Sequence, residues 1–271
     1  MEGVSLNPEG LLAHATAWTL VLFRVAGVFV AAPVLTSVMV PARYKALAAA
    51  MLACCAYPMI PGVGPVVIED LPRALVSVLG EFFVGLAIGA IAGLPLLMME
   101  LAGTLAGTTM GLGLARVFNP ESDIDTDIVG QLLFFVAAGV YVALGGLEAV
   151  FAGLVGTFER VPPGAVAGVG PAGAGSVLAV FVGVLASGTE VALRVAAPIV
   201  GIVFLLLIVM GVLGKTIPQL NAMTVGFSLQ LLAGLAMLAF GLSAMREPIE
   251  QGVAAGLEAA LSWASALRGA G

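Results

Sequence analysis

Four carboxylates, Glu121, Asp123, Asp125 and Asp127, stand at near-alternate positions between two of the most apolar runs in the chain. Acids spaced this way are candidates for calcium ligands or for a hydrolytic carboxylate pair. A calcium loop places oxygen ligands at alternate positions, glycine at the sixth for the turn and glutamate at the twelfth. Counted from Asp123, those two places hold Ile128 and Phe134, so the pattern fails. Carboxylate hydrolysis needs a positioned base or nucleophile, and none accompanies these acids. Solvation accounts for them more simply. Asn119-Pro120 ends a helix, and acids near the start of the next one favour its positive end.

Other chemistries fail on similar grounds. Gly214-Lys215-Thr216 has the form of the end of a phosphate-binding loop, but that motif needs glycine five residues earlier, where Val209 stands. His14 is the single histidine, which excludes a histidine-based metal cluster and leaves acid–base catalysis without its usual group. Cys54 and Cys55 are adjacent inside an apolar run and make neither a metal set nor a disulfide framework. No metal, cofactor or enzymatic activity is expected. What remains is charge inside apolar runs, which costs several kcal/mol unless paired or wetted. Glu190 and Arg194 are four apart with the acid first, the favourable order for a self-neutralising pair on a helix. Arg24, Glu81, Glu100 and Glu148 have no obvious local partner. They would suit a proton relay in an ion- or proton-coupled secondary transporter, or positions outside the hydrocarbon altogether.

The elements that carry these residues are helical and apolar. The 271 residues are 61% hydrophobic and 10% charged, where a soluble domain carries about 25% charged residues. Apolar runs recur along the whole length, which predicts an all-α, polytopic membrane protein. The net charge of −6 includes no basic tract, which excludes nucleic acid as a partner. The N-terminal MEGVSLNPEG is acidic and the first apolar run contains Arg24, so residues 11–32 read as a retained span. Helical segments are expected at about 11–32, 42–57, 74–99, 101–115, 128–157, 175–214 and 220–245. An amphipathic tail follows at 249–267, all within a single domain, 1–271. A span needs about 20 residues; 42–57 is short for that, and 175–214 is a helical pair or one helix kinked near Pro198. These lengths do not suit a bundle of equal spans.

Small residues follow the helix period. Gly85, Gly89 and Gly93 line one face together with Glu81, and Gly103, Gly107 and Gly111 repeat the pattern beside Glu100, Thr104 and Thr108. Such faces let backbones approach closely. They serve packing within the chain or against neighbouring subunits.

Several stretches carry a likeness to a known family. Phe23-Arg24-Val25-Ala26-Gly27, followed by Ala32-Pro33-Val34-Leu35 and Val40-Pro41-Ala42-Arg43, resembles the N-terminal signature of the FliR family of flagellar biosynthetic proteins. The export-gate subunit of type III secretion injectisomes (SctT-like) belongs to the same superfamily. Glu81-x-x-x-Gly85-x-x-x-Gly89 is similar to the family's next segment. Ala102-Gly103 leading to Met110-Gly111-Leu112-Gly113-Leu114-Ala115 and Phe118-Asn119-Pro120 is similar to its glycine-rich loop. Thr157-Phe158 with Pro162-Pro163-Gly164 resembles the mid-chain turn. Arg194 and Pro198, then Lys215-Thr216-Ile217-Pro218-Gln219-Leu220-Asn221 and Val225-Gly226-Phe227, resemble its late region.

The resemblance implies a passive subunit of the flagellar or type III export gate, in the bacterial inner membrane as part of a flagellar basal body or injectisome. Implied partners are FliP-like and FliQ-like gate subunits, an FlhB-like switch protein, an FlhA-like protein and the unfolded proteins that are exported. It also implies that Met110–Asn119 is a plug in the pore. In that role Gly111 and Gly113 would permit sharp bends, while Met110, Leu112, Leu114 and Phe118 would seal. Arg116 would oppose ion leak or pair with the acids that follow, Asn119 would belong to the loop, and Glu121, Asp123, Asp125 and Asp127 would form a wetted hinge. Gly85, Gly89, Gly93, Gly103, Gly107, Glu190, Arg194 and Pro198 are expected at helix or subunit contacts.

Overall fold

A computed structural model describes residues 8–32, 41–60, 66, 70–112, 128–165, 171–216 and 222–266. Among these residues seven α-helices follow in order: α1 Pro8–Ala31, α2 Ala42–Ala56, α3 Leu71–Thr109, α4 Ile128–Ala143, α5 Gly146–Arg160, α6 Pro171–Thr216 and α7 Ala222–Ala266. A single 3-10 turn, Tyr57–Met59, extends α2. Among the described residues there is no strand. The chain is all-α, as expected.

Element lengths depart from the sequence reading in three places. The segments expected at 74–99 and 101–115 lie on one helix of 39 residues ending at Thr109; Glu100-Leu101 contains no breaker, and Pro95 is carried inside the helix. Residues 113–115 lie outside the described residues. The run expected at 128–157 is instead two helices bent by 63°. Gly145 at the joint has φ 73°, a left-handed conformation that glycine adopts without a Cβ clash. The described parts of the late segments expected at 220–245 and 249–267 share one helix of 45 residues, Ala222–Ala266. The 175–214 run is a single helix of 46 residues with Pro198 inside it.

Among the described residues three helices are long and apolar enough to cross a bilayer, at His14–Ala31, Leu71–Thr109 and Phe181–Thr216, or four if the bent α4–α5 pair is one span. The chain is thus a polytopic membrane protein.

Two compact units divide the chain, and the division falls inside α3, α6 and α7 and at the joint between α4 and α5. Unit 1 comprises Met1–Leu94, Gly145–Val184 and Ala255–Gly271; unit 2 comprises Pro95–Leu144 and Leu185–Ala254. In unit 1, α1 lies directly on the first half of α3. A Cβ added to Gly85 would overlap the carbonyl oxygen of Arg24, and one added to Gly27 would overlap that of Phe82. At Gly89 the same atom would lie 2.8 Å from Val28 O. Leu20, Val25, Val28, Ile88, Ile91, Leu154 and Phe158 fill the core around this crossing. Helix α2 packs on α1 through its alanines, with Ala49, Ala53 and Ala56 buried. His14 Nδ1 pairs with the Tyr57 hydroxyl at 2.8 Å, and Thr16 Oγ1 donates to Val66 O.

In unit 2 the second half of α3 meets α4 glycine to glycine. A Cβ on Gly103 would stand 2.5 Å from the Cα of Gly130. Buried Leu133, Ala137 and Tyr141 continue that face of α4. Helices α6 and α7 touch at Val191–Gly252 and at Met210–Gly226. The remaining surface of α6 is apolar and open: Phe204, Leu205, Ile208 and Val212 are all exposed, as is Phe240 on α7.

Candidate functional site

The densest polar arrangement is a buried node in unit 1. Arg24, in the middle of α1, and Glu81, in the first half of α3, are both 0% exposed. Arg24 Nε donates to Glu81 Oε2 at 2.5 Å, Nη1 to Thr157 Oγ1 at 3.0 Å, and Nη2 to Val161 O at 3.0 Å. The Arg24 guanidinium carbon also stands 4.1 Å from the centroid of the Phe158 ring, within cation–π range. Glu81 Oε1 accepts the Gly164 amide at 2.9 Å, and Thr157 passes its own hydroxyl proton to Leu154 O at 2.6 Å. Each Glu81 oxygen therefore has a donor, and each nitrogen of the guanidinium has an acceptor.

The local sequence explains this placement. Gly85 and Gly27 remove the side chains that would hold α1 and α3 apart, so a charge on one reaches a charge on the other. Helix α5 ends at Arg160 and the chain turns back through Val161-Pro162-Pro163-Gly164. Gly164, at φ 89°, points its amide at the carboxylate. A charge pair taken from water is tolerable only when geometry is good and the remaining donors and acceptors are used. Here they are. The node joins α1, α3 and the turn after α5, and its carboxylate is fully engaged.

Sequence reading found these charges but not their pairing. Arg24 and Glu81 stand without a partner when only their own helices are considered; 57 positions separate them. A signal was present in the common pattern Arg24-x-x-Gly27 and Glu81-x-x-x-Gly85, each charge beside the glycine that makes its helix approachable. Thr157, Phe158 and Gly164 appeared only as motif residues.

The other expected site residues fall elsewhere. Gly85 and Gly89 bear on α1, and Gly103 and Gly107 on α4, so both glycine stripes are used within the chain; Gly93 is buried as well. Glu190 and Arg194 form their helical pair at 2.6 Å, with side chains 65% and 69% exposed. Pro198 is exposed on α6. Glu100 is half-buried and Glu148 exposed. Of the glycine-rich loop, Met110, Gly111 and Leu112 are described. Met110 is fully buried in unit 2, and Gly111 has φ 85°. Gly113, Leu114, Arg116, Phe118 and Asn119 lie outside the described residues, as do Glu121, Asp123, Asp125 and Asp127. No group of three or more His, Cys, Asp or Glu able to hold a metal occurs among the described residues.

Fold and node together define a polytopic all-α membrane protein whose buried charge is matched from within. Comparison with known proteins gives the class a family. The sequence model of a family described as bacterial export proteins, family 1, matches residues 15–255, and the chain belongs to that family. It is 25% identical over 223 residues to the flagellar biosynthetic protein FliR of Bacillus subtilis, covering 82% of this chain and 84% of that protein. Identity to FliR of Escherichia coli is 25% over 225 residues, covering 80% and 81%. Surface presentation of antigens protein SpaR of Salmonella typhimurium is 28% identical over 184 residues, covering 65% and 66%. The chain is a membrane component of a bacterial export apparatus.

Proposed function

We propose that this chain is a subunit of the flagellar or type III protein export gate and forms part of the pore through which unfolded proteins leave the cell. The observation that carries this reading is the surface of α6. It is apolar over most of its length, yet Glu190 and Arg194 lie exposed on it. Facing lipid, such a pair would be costly. Against a neighbouring polypeptide, with polar atoms to complete its hydrogen bonds, it is acceptable. Family membership and similarity to FliR and SpaR supply the class of neighbour: FliP-like and FliQ-like gate subunits, with FlhB-like and FlhA-like proteins alongside.

Within that gate, the glycine-rich segment Met110–Asn119 carries the plug, with buried Met110 as its root, and the acids Glu121–Asp127 are its wetted hinge. A constriction of apolar side chains blocks ions by dewetting and still yields to a passing peptide. Transport energy comes from the partners. Glu81 already accepts two donors, one of them a buried arginine, so it does not suit a relay that must pick up and release protons.

Two experiments test the proposal. The full chain co-expressed with FliP- and FliQ-like proteins should purify as one complex. A homogeneous single-chain protein that moves a solute into vesicles would overturn the gate reading. Deleting Gly113–Arg116 should raise ion leak in cells carrying the whole gate, and unchanged conductance would remove the plug.

A further inference from the structure

Helix α3 does not fray into the glycine-rich loop; it is stopped. Gly111 N donates to Thr108 O at 3.0 Å and Leu112 N to Gly107 O at 3.1 Å, the paired bonds of a Schellman stop with glycine left-handed at its centre. Leu112 folds back over Gly107, where an added Cβ would meet Leu112 Cδ1 at 3.8 Å. This is the apolar contact that accompanies such a stop. Between helix and stop sits Met110, 0% exposed.

What buries Met110 is a notch in α7. A Cβ on Gly234 would lie 2.5 Å from Met110 Cγ and 2.7 Å from both its Sδ and Cε. The whole thioether arm therefore occupies the place of the missing side chain. Gly234 lies inside a helix, where glycine is less favourable than alanine by roughly 1 kcal/mol. It is not among the described residues with positive φ. Backbone conformation does not require glycine there; the notch does. A second pair repeats the device in the same unit. A Cβ on Gly188 would stand 2.7 Å from Met98 Cγ, and Thr189 Oγ1 reaches Met98 Sδ at 3.6 Å.

We propose that Met110 and Gly234 form a clasp that holds the last turn of α3 on α7 and so fixes the root from which the following loop departs. Its consequence for ion leak rests on the plug reading above; the clasp itself does not. Met110 is in this view a positioning residue, anchored inside the protein, and the seal is supplied by residues beyond it. An unbranched, polarizable side chain fits the part because it adapts to an irregular notch.

The test uses the assembled gate in detergent and reads hydrogen exchange at the amides of residues 110–112, which report the helix stop directly. Gly234→Ala should expel the thioether arm and speed exchange about tenfold, the size expected when a close-packed contact is overfilled. Met110→Ala should also speed it. In the double variant the alanine methyl enters the vacated space, so exchange should be no faster than in Met110→Ala alone. Wild-type exchange in Gly234→Ala overturns the clasp, and so does an undiminished effect of that substitution on the Met110→Ala background. Ion leak is read in parallel, with deletion of Gly113–Arg116 as reference. If the deletion leaks and Gly234→Ala exchanges fast without leaking, the clasp does not position the plug and the proposal fails in that part. If the deletion does not leak, the plug reading falls while exchange still decides the clasp.

Discussion

The two units solve close helix packing by different means. In unit 1 glycines bring backbone against backbone, and the charges of Arg24 and Glu81 are locked by four hydrogen bonds and an aromatic ring. In unit 2 Gly103 and Gly130 also bring backbone against backbone, but no charge is buried there among the described residues, and glycines make notches that methionine side chains occupy, at Gly188 and Gly234. The first kind of contact admits one register, since sliding by a turn would strand a buried charge. The second is apolar and adaptable, and tolerates small shifts without leaving a polar group unpaired.

The comparison breaks first at the node. Glu81→Ala should leave Arg24 buried without its counter-charge and cost about 3–5 kcal/mol, measured as lost yield and lower thermal stability of the purified gate. The same loss should follow from Arg24→Ala. If either variant is as stable as the parent, the charge pair does not set the register. Gly85→Ala comes next. Its methyl would overlap the Arg24 carbonyl, so the helices must separate, at about 1–3 kcal/mol. Gly226→Ala in unit 2, where the nearest Met210 atoms are 3.7 Å away, should cost far less.

Exposed charge should behave in the opposite way. Arg194→Ala removes a pair that is about two-thirds exposed, which in an isolated chain contributes about 0–1 kcal/mol. If α6 is covered by a neighbouring subunit, the same change should reduce recovery of FliP- and FliQ-like partners by more than it reduces stability of the chain. Equal small effects on both would mean that α6 is not covered at this point.

A comparably small effect belongs to Tyr57. Its hydroxyl bonds His14 at 2.8 Å, and burial raises the phenol above its ordinary pKa. The folded form thus holds the proton more tightly than the unfolded one. The contribution is full below about pH 10 and is lost as pH rises through the raised value. Tyr57→Phe should remove this alkaline dependence and cost about 1 kcal/mol at neutral pH. A pH–stability curve identical to that of the parent would show the contact to be unimportant.

Much of the architecture was legible because hydrophobic composition and helix period are local properties. The all-α class, the membrane setting, the glycine faces and the Glu190–Arg194 pair all lie within one helix turn or one apolar run. Pro198 was ambiguous for the opposite reason. A proline removes one hydrogen bond of its helix, but whether the helix survives depends on the packing around it. Gly145 was missed as a bend because glycine inside an apolar run has no fixed meaning until its φ is known.

By itself, the sequence determined that this chain is helical and that it cannot live mostly in water. Only the tertiary structure decided which charges meet. Arg24 finds Glu81 because glycines on both helices let the backbones touch, and Met110 is buried because a distant helix lacks a side chain at Gly234. Such pairings join residues 57 and more than a hundred positions apart. No local spacing encodes them, because the free energy that selects them arises only when the two surfaces are brought into contact.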